Sequence, residues 1–342
     1  MNVVEFPGLG LKLNVDPIAF SIFSKPIYWY GILIAIGFLL ATLLAMKQSE
    51  DFGISQDNLV DMLLYAGPIG IIGARLFYVI FSWDYYKDNL SDIYKIWNGG
   101  LAIYGGIIAG VLTAYVFAKI KKINPLKLFD FAIIYIPLAQ AIGRWGNFFN
   151  QEAFGTNTTL PWGMTSESVK SYLSSLSMQG IAVDPLKPVH PTFLYESIWD
   201  IAVFLLLFNR RKHKKADGEV FLLYFVLYGI GRFFIEGLRT DSLMLGSIRI
   251  SQLLSVLFII AGTIIIILIR QKTAKTEFSD VELGKSEYGN VLKNVLEEEA
   301  RLNAMESDIK ASEEALEDTD KTTEQIEGLE DKGSQTDERE SD

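Results

Sequence analysis

Four polar side chains recur along one apolar stretch of the chain. Gln140, Arg144, Asn147 and Gln151 follow one another at steps of four, three and four residues, which places them on one face of a helix. A guanidinium presents a planar fork of N–H donors that matches the oxygens of a phosphate. Because Arg144 has no acidic residue four positions away to neutralise it, the pattern predicts an anion site.

A second apolar stretch carries a similar polar face. The residues on this face are Tyr224, Tyr228, Arg232, Glu236 and Arg239. Arg232 and Glu236 are four residues apart, so we expect them to form a structural ion pair. Arg239 has no acid four positions away, and we expect it to share the anion with Arg144.

Two further polar residues lie in glycine-rich apolar stretches. Arg75 follows a run of spaced glycines, and its sequence context leaves two interpretations open: it extends toward lipid headgroups, or it pairs with an acid. Tyr104 lies within the run GGLAIYGGIIAG. Glycines in such stretches are typical of helices that pack closely in membranes.

The elements that must position these residues are apolar stretches of about 20 residues, which is the length of a membrane-spanning helix. The sequence therefore predicts an all-α integral membrane protein with seven transmembrane helices. Their approximate ranges are 27–46, 58–81, 101–119, 127–149, 192–209, 219–236 and 248–269.

Basic residues in short loops predict the orientation of the spans, because such residues accumulate on the cytoplasmic side. Lys47, residues 119–127, residues 210–215 and the bases after the last span all fall on one side of the predicted membrane. We therefore expect the N-terminus outside and the C-terminus in the cytoplasm. This orientation places Arg144 and Arg239 near the outer face, where the abundant anion is a phospholipid headgroup.

The charge distribution divides the chain into two predicted domains. Residues 1–270 contain 19 acids and 22 bases, whereas residues 271–342 contain 22 acids and 9 bases. We expect the first to be a seven-span membrane domain. The composition of the second predicts an acidic cytoplasmic tail that is disordered or forms a marginal solvated helix and is dispensable for chemistry. Residues 150–190 form a predicted outside loop of about forty residues, for which we hypothesise a lid function.

Composition excludes several function classes. No strongly basic surplus remains for a nucleic-acid partner. The chain has no cysteine and two histidines, so a disulfide, a cysteine nucleophile or a multi-histidine metal cluster is not expected. We accordingly predict no metal and no cofactor.

Four separated motifs resemble one family of bacterial membrane enzymes, the prolipoprotein diacylglyceryl transferases. The run Gly143-Arg144-Trp145-Gly146-Asn147-Phe148-Phe149-Asn150-Gln151-Glu152 is similar to the family signature G-R-x-G-N-F-x-N-x-E. The other matching stretches are Trp29-Tyr30-Gly31, His190-Pro191-Thr192 with Leu194-Tyr195-Glu196, and residues 232–239. The resemblance covers about residues 15–270.

The resemblance implies a multi-pass protein of the bacterial cytoplasmic membrane, with its active site toward the outer face. Its expected activity is transfer of the diacylglyceryl group of phosphatidylglycerol to the lipobox cysteine of prolipoprotein signal peptides, releasing glycerol phosphate. This is the first step of bacterial lipoprotein maturation. The expected catalytic residues are Tyr30, Tyr104, Arg144, Asn147, Glu152 and Arg239. The expected phosphatidylglycerol-binding residues are Arg144, Arg239, Asn147, Gly155 and Arg75.

One position departs from the family pattern. Many relatives have a histidine, proposed as the base, where this chain has Tyr104. Tyrosine is a poor base at its usual pKa of about 10, so we expect Tyr104 to hydrogen-bond the headgroup and leave the base unassigned.

Two other functions fit the same residues. The arginines could line the path of a transporter or channel for a small anion or a lipid, with discontinuous helices at the membrane midplane. A different phospholipid headgroup transferase is the second alternative. The clustering of polar residues toward one face and the absence of a visible inverted repeat favour the diacylglyceryl transferase.

Overall fold

The computed structural model describes residues 2–240, 242, 244–246, 248–279 and 294–307. The described chain is mostly helical. Its helices are α1 (Trp29–Gln48), α2 (Gln56–Phe81), α3 (Trp83–Tyr86), α4 (Ile103–Ile120), α5 (Pro125–Ile133), α6 (Ile136–Asn150), α7 (Glu167–Met178), α8 (Thr192–Arg210), α9 (Glu219–Leu238) and α10 (Ile250–Ser279).

Seven helical segments in the described residues are long and apolar enough to cross a membrane, which confirms the seven predicted spans. Their ends lie within four residues of the predicted ends. The fourth span, Pro125–Asn150, contains both α5 and α6. The break falls just before Pro137, which has no N–H to donate to the preceding turn and whose ring displaces the carbonyl there.

The spanning helices pack in two groups. Helix α2 lies against α4, and α1, α6, α8 and α9 pack in succession, α1 on α6, α6 on α8 and α8 on α9. An added Cβ on Gly73 would lie 2.8 Å from the carbonyl oxygen of Gly105, so only glycine permits this approach of α2 and α4. An apolar core that includes Leu128, Phe131 and Leu207 also takes residues from both groups of helices. The succession α6–α8–α9 brings the two predicted polar faces toward each other.

Strands add small sheets that the all-helical prediction did not include. The strands are β1 (Asn2–Phe6), β2 (Leu11–Val15), β3 (Ile18–Ile22), β4 (Lys25–Tyr28), β5 (Thr165–Ser166), β6 (Met244–Leu245) and β7 (Ile248–Arg249). They form an antiparallel sheet in the order β2-β1-β5 and the hairpins β3–β4 and β6–β7. The strands are short, so their alternation is a weak signal in the sequence.

Residues 150–190 are folded against the N-terminal strands. Strand β5 pairs with β1, and α7 buries Val169 and Leu173 in a core that also contains Val4 and Phe154. The segment is therefore more than a loop, and its packed core argues against a lid that moves as one flexible piece. Its position outside the membrane stays a prediction.

The chain separates into two compact units, residues 1–273 and 274–342. In the second unit, residues 294–307 are helical and exposed. Residues 271–279 of the predicted tail continue helix α10, and the disorder predicted for the remaining tail residues falls outside the described ones. The catalytic role of the first unit and the dispensability of the second remain predictions.

Candidate functional site

Three arginines converge on one buried carboxylate between α6, α8 and α9. Glu196 on α8 is 6% exposed, and its Oε2 lies 2.5 Å from Nη1 of Arg144. Its Oε1 lies 2.8 Å from Nη1 of Arg232 and 3.8 Å from Nη1 of Arg239. The expectation that Arg144 and Arg239 lack an acidic neighbour is therefore wrong. The partner comes from another helix, which spacing along a single helix cannot reveal.

Two more acids complete this group of charges. Asp200 lies one turn beyond Glu196, with Oδ2 3.9 Å from Nε of Arg144. Glu236 pairs with Arg232 at 2.6 Å, which confirms the predicted ion pair. The arginine cluster is hereafter the set Arg144, Glu196, Asp200, Arg232, Glu236 and Arg239. Its three guanidinium groups and three carboxylates balance in formal charge.

The cluster is closed on one side and reachable on the other. A cavity of about 10 Å³ lies between Arg144, Asp200, Tyr228 and Arg232, which is room for about one water molecule. Arg144 nevertheless keeps 23% of its side chain exposed, and Arg232 keeps 20%. An anion as large as a lipid phosphate must therefore meet these guanidinium groups from their exposed side.

The end of α6 holds the amide groups of the signature run. Nδ2 of Asn147 donates to Oε1 of Glu152 at 3.0 Å, and Nδ2 of Asn150 donates to the same oxygen at 3.3 Å. Gln151 terminates the helix with φ +53°, so it leaves the helical face on which the sequence placed it. Farther back on that face, Gln140 accepts a hydrogen bond from the hydroxyl of Tyr224 at 3.0 Å.

Gly155 joins three segments at the same end of the helices. Its N–H donates to the carbonyl of His190 at 2.9 Å, and it forms an antiparallel bridge with Arg239. A Cβ on Gly155 would lie 2.8 Å from Cβ of His190 and 3.0 Å from the carbonyl oxygen of Leu238. Glycine is thus required to bring the backbone of Arg239 into the cluster. Burial lowers the pKa of His190 below its usual range, so its ring is neutral near pH 7.

The two predicted tyrosines occupy different surroundings. The ring of Tyr30 packs directly on Gly146 of α6, where any side chain would overlap it, and this places Tyr30 beside the Arg144–Asn147 turn. Tyr104 is the second residue of α4, is 58% exposed and, among the described residues, has no hydrogen-bond, ionic or aromatic partner. The structure therefore places Tyr30 against the signature run of α6 and does not place Tyr104 in the arginine cluster.

Arg75 is a loop anchor. It is 5% exposed, and its guanidinium donates to the carbonyls of Asp92, Ile93, Gly99 and Gly100 at 2.6–2.8 Å. Its fifth hydrogen bond goes to the carbonyl of Lys95, and its charge lies against the rings of Tyr78 and Tyr86. Neither interpretation left open by the sequence, extension to headgroups or pairing with an acid, describes these contacts.

Sequence reasoning assigned no role to Glu196 or Asp200. Both lie in the fifth span at positions i and i+4, and a search for charges inside apolar stretches would have found them. Among the described residues, no group of three or more histidine, aspartate or glutamate side chains is placed to hold a metal ion.

The fold and the cluster define a class of protein: a multi-pass membrane protein with an arginine–carboxylate site reachable by an anionic group. A family model described as prolipoprotein diacylglyceryl transferase matches residues 17–268. The chain belongs to that family.

Individual relatives agree over most of their length. The phosphatidylglycerol–prolipoprotein diacylglyceryl transferase of Clostridioides difficile is 50% identical over 250 residues, 73% of this chain and 94% of the relative. The enzyme of the same name from Finegoldia magna is 48% identical over 77% of this chain and 99% of its own. That from Staphylococcus aureus (strain Newman) is 44% identical over 80% and 96%.

Proposed function

We propose that this chain transfers the diacylglyceryl group of phosphatidylglycerol to the cysteine thiol of a prolipoprotein. A C–S thioether bond forms, the bond between the glycerol carbon and the phosphate oxygen breaks, and glycerol phosphate leaves. Family membership over the seven spans supports the reaction. The observation that carries the site is the convergence of Arg144, Arg232 and Arg239 on Glu196.

In this proposal Glu196 is the ion-pair partner of the arginines until the lipid phosphate replaces it. A phosphate offers more oxygens than a carboxylate, so Arg144 and Arg239 can each keep a charge-assisted hydrogen bond when they exchange partners. Negative charge grows on the phosphate oxygens as the carbon–oxygen bond breaks. Arginines aimed at those oxygens therefore stabilise the transition state more than the ground state.

The amide groups at the end of α6 orient the headgroup. The hydrogen bond from Asn147 to Glu152 fixes which way the Asn147 amide points. Tyr30, held on Gly146, forms the neighbouring wall. Gly155 contributes through the backbone of Arg239, with which it bridges.

The attacking thiol must lose its proton, because the thiolate is the nucleophile and a free thiol with a pKa of about 8.5 is mostly protonated near pH 7. Because the arginine cluster is balanced in formal charge, it supplies no net positive potential to favour the thiolate. Tyr104 stands apart from this cluster, and we assign no base.

The arginine cluster and the headgroup-orienting amides lie, in this proposal, at the outer face of the bacterial cytoplasmic membrane, with the N-terminus outside and the C-terminus inside. The support is the distribution of basic residues in the loops, with Lys119, Lys121 and Lys122 on the side opposite the arginine cluster. Because the chain contains no cysteine, single cysteines placed in these loops and labelled from one side of the membrane give a direct test.

The deciding experiment is a transfer assay with purified full-length protein, phosphatidylglycerol and a lipobox peptide. We expect a diacylglyceryl-sized gain in peptide mass and release of glycerol phosphate from the wild type, and neither from Arg144→Ala or Arg239→Ala. Arg210→Ala is the control, because that arginine lies at the other end of α8. No transfer by folded wild type would favour the transporter alternative, and transfer that survives Arg144→Ala would refute the phosphate site.

A further inference from the structure

The β3–β4 hairpin presents an unusual tip. Its strands are joined by the two residues Phe23 and Ser24, which have φ +46° and +64°. Two-residue turns with two positive φ values favour asparagine and glycine, because bulky side chains are strained in that conformation. Phe23 is also 97% exposed. A strained and exposed phenylalanine at a turn destabilises the folded protein, and contacts within the described chain do not offset this destabilisation.

The apolar character continues from the tip along β3. Phe20 is 51% exposed and Ile22 is 49% exposed, and their spacing of two residues places them on one face of the strand. With Phe23 they form a continuous apolar end to the hairpin, the Phe23 tip, which consists of Phe20, Ile22 and Phe23. Single exposed apolar residues are ordinary, but a contiguous group at a protruding turn indicates an interaction surface.

Chain continuity fixes where this surface lies. Strand β4 ends at Tyr28 and the first membrane span begins at Trp29, whose N–H donates to the carbonyl of Pro17 at 2.9 Å. The five residue-to-residue steps from Tyr28 to Phe23 span at most about 17 Å in a strand. The tip is therefore confined to the neighbourhood of the membrane surface.

One side of the hairpin faces α1, the first membrane-spanning helix. An open, mainly apolar cavity of about 770 Å³ is lined by residues 26–28 of β4 and by α1 residues as far as Ala35. Ala35 is six residues into the span, about 9 Å along the helix axis. Since the interfacial layer on each side of a bilayer is only several ångströms thick, the hairpin lies alongside a part of α1 that lipid surrounds.

We propose that the β3–β4 hairpin is an interfacial anchor whose Phe23 tip inserts into the headgroup region of the lipid bilayer. Burial of exposed phenylalanine and isoleucine surface offsets the cost of the turn, and the aromatic ring suits the interface. Lys25, on the other side of the turn, remains at the level of the lipid phosphates. The hairpin thereby holds the start of α1, and with it Tyr30, at a fixed depth.

Spin labelling tests the insertion, and the absence of cysteine makes every label unique. Phe23→Cys carries a nitroxide in full-length protein in vesicles of phosphatidylglycerol and phosphatidylethanolamine. Leu186→Cys is the control, because Leu186 is an apolar residue of comparable exposure, 85%. We expect the ratio of collisions with membrane-soluble oxygen to collisions with a neutral water-soluble nickel complex to be about threefold higher at position 23. Equal ratios at the two positions would overturn the proposal.

A second pair of labelled proteins separates insertion from misfolding. A nitroxide at Ile22→Cys is compared with and without the added changes Phe23→Asn and Ser24→Gly, which suit the turn better than the native residues. We expect the changes Phe23→Asn and Ser24→Gly to leave the hairpin folded. They should roughly double the rate of collisions between the label at position 22 and the nickel complex, because the apolar side chain at the tip has been removed. Unchanged access would refute the proposal. Protection of position 22 from the nickel complex only after lipobox peptide is added would also refute the proposal, because the native tip would then contact the peptide.

Discussion

Two groups of buried charges lie at opposite ends of α8 and α9, and their partners differ in kind. In the arginine cluster, three guanidinium groups share Glu196, and no backbone N–H of the described residues donates to its carboxylate. At the other end lies the loop cluster, a second group of charges centred on Asp130 and Glu219. Asp130 accepts hydrogen bonds from Lys214 at 2.9 Å and from the N–H groups of Gly218 and Phe221 at 2.8 and 2.9 Å.

Glu219, the second acid of the loop cluster, follows the same pattern. It pairs with Arg270 at 2.6 Å and with Arg210 at 3.5 Å, and it accepts from the N–H of Lys215 at 2.9 Å. Backbone N–H groups cannot move to a ligand without unfolding a turn, whereas side chains can exchange partners. The contacts of the loop cluster suit a role in holding helices together, whereas in the proposed function the arginine cluster exchanges anions.

The largest expected effect is on activity at the arginine cluster. Arg144→Lys keeps the charge but loses the planar fork, so kcat/KM should fall by about a hundredfold or more. The melting temperature should change little, because a cation still faces Glu196. Kinetics with phosphatidylglycerol vesicles, together with thermal unfolding in detergent, measure both quantities. Activity within threefold of wild type would remove the distinction between the two clusters.

The loop cluster should respond in the opposite way. Glu219→Gln leaves Arg270 without its buried partner and should lower the free energy of unfolding by about 3–5 kcal/mol. The turnover of the fraction that remains folded should be unchanged. Glu167→Gln is the matched control, because its pair with Lys170 is exposed and contributes little. Loss of turnover in folded Glu219→Gln protein would show that both clusters serve the reaction.

Features that depend on residues close together in the sequence could be predicted from it. Seven apolar stretches of the right length predicted seven spans, and the spacing of Arg232 and Glu236 predicted their ion pair. The partners of Arg144 could not be read in this way, because Glu196 lies 52 positions along the chain on another helix. The pairing of β1 with β5 joins segments about 160 residues apart, and no local pattern encodes such a contact.

Arg75 offers a third environment for a buried cation, because its hydrogen bonds within the described chain all go to backbone carbonyls. Arg75→Lys has fewer donors for the five carbonyls and should lower the free energy of unfolding by about 1–3 kcal/mol. Limited proteolysis should show faster cleavage between residues 83 and 102, with kcat/KM reduced less than tenfold. A loss of kcat/KM as large as that of Arg144→Lys would restore the predicted lipid-binding role of Arg75.

A smaller gain is expected at the end of α6. Gln151 adopts a positive φ, and its buried amide atoms have no hydrogen-bond partner among the described residues. Gln151→Gly removes both costs and should raise the free energy of unfolding by about 1 kcal/mol. Thermal unfolding measures the gain, with Gln179→Gly as a control at a position where φ is negative. A lower melting temperature for Gln151→Gly would show that the amide contributes packing that outweighs its strain.

The smallest effect, and the sharpest boundary, is expected at the end of the membrane domain. A chain that ends at Lys275 keeps Arg270 and should match the wild type in stability and transfer activity, since every residue of the loop cluster precedes position 275 in the sequence. A chain that ends at Ile269 lacks the Arg270 partner of Glu219 and should lose stability as Glu219→Gln does. Thermal unfolding of the two truncated proteins measures the step between them. If the protein that ends at Lys275 were folded but had lost activity, the tail would take part in the reaction. Activity would then depend on residues outside both clusters.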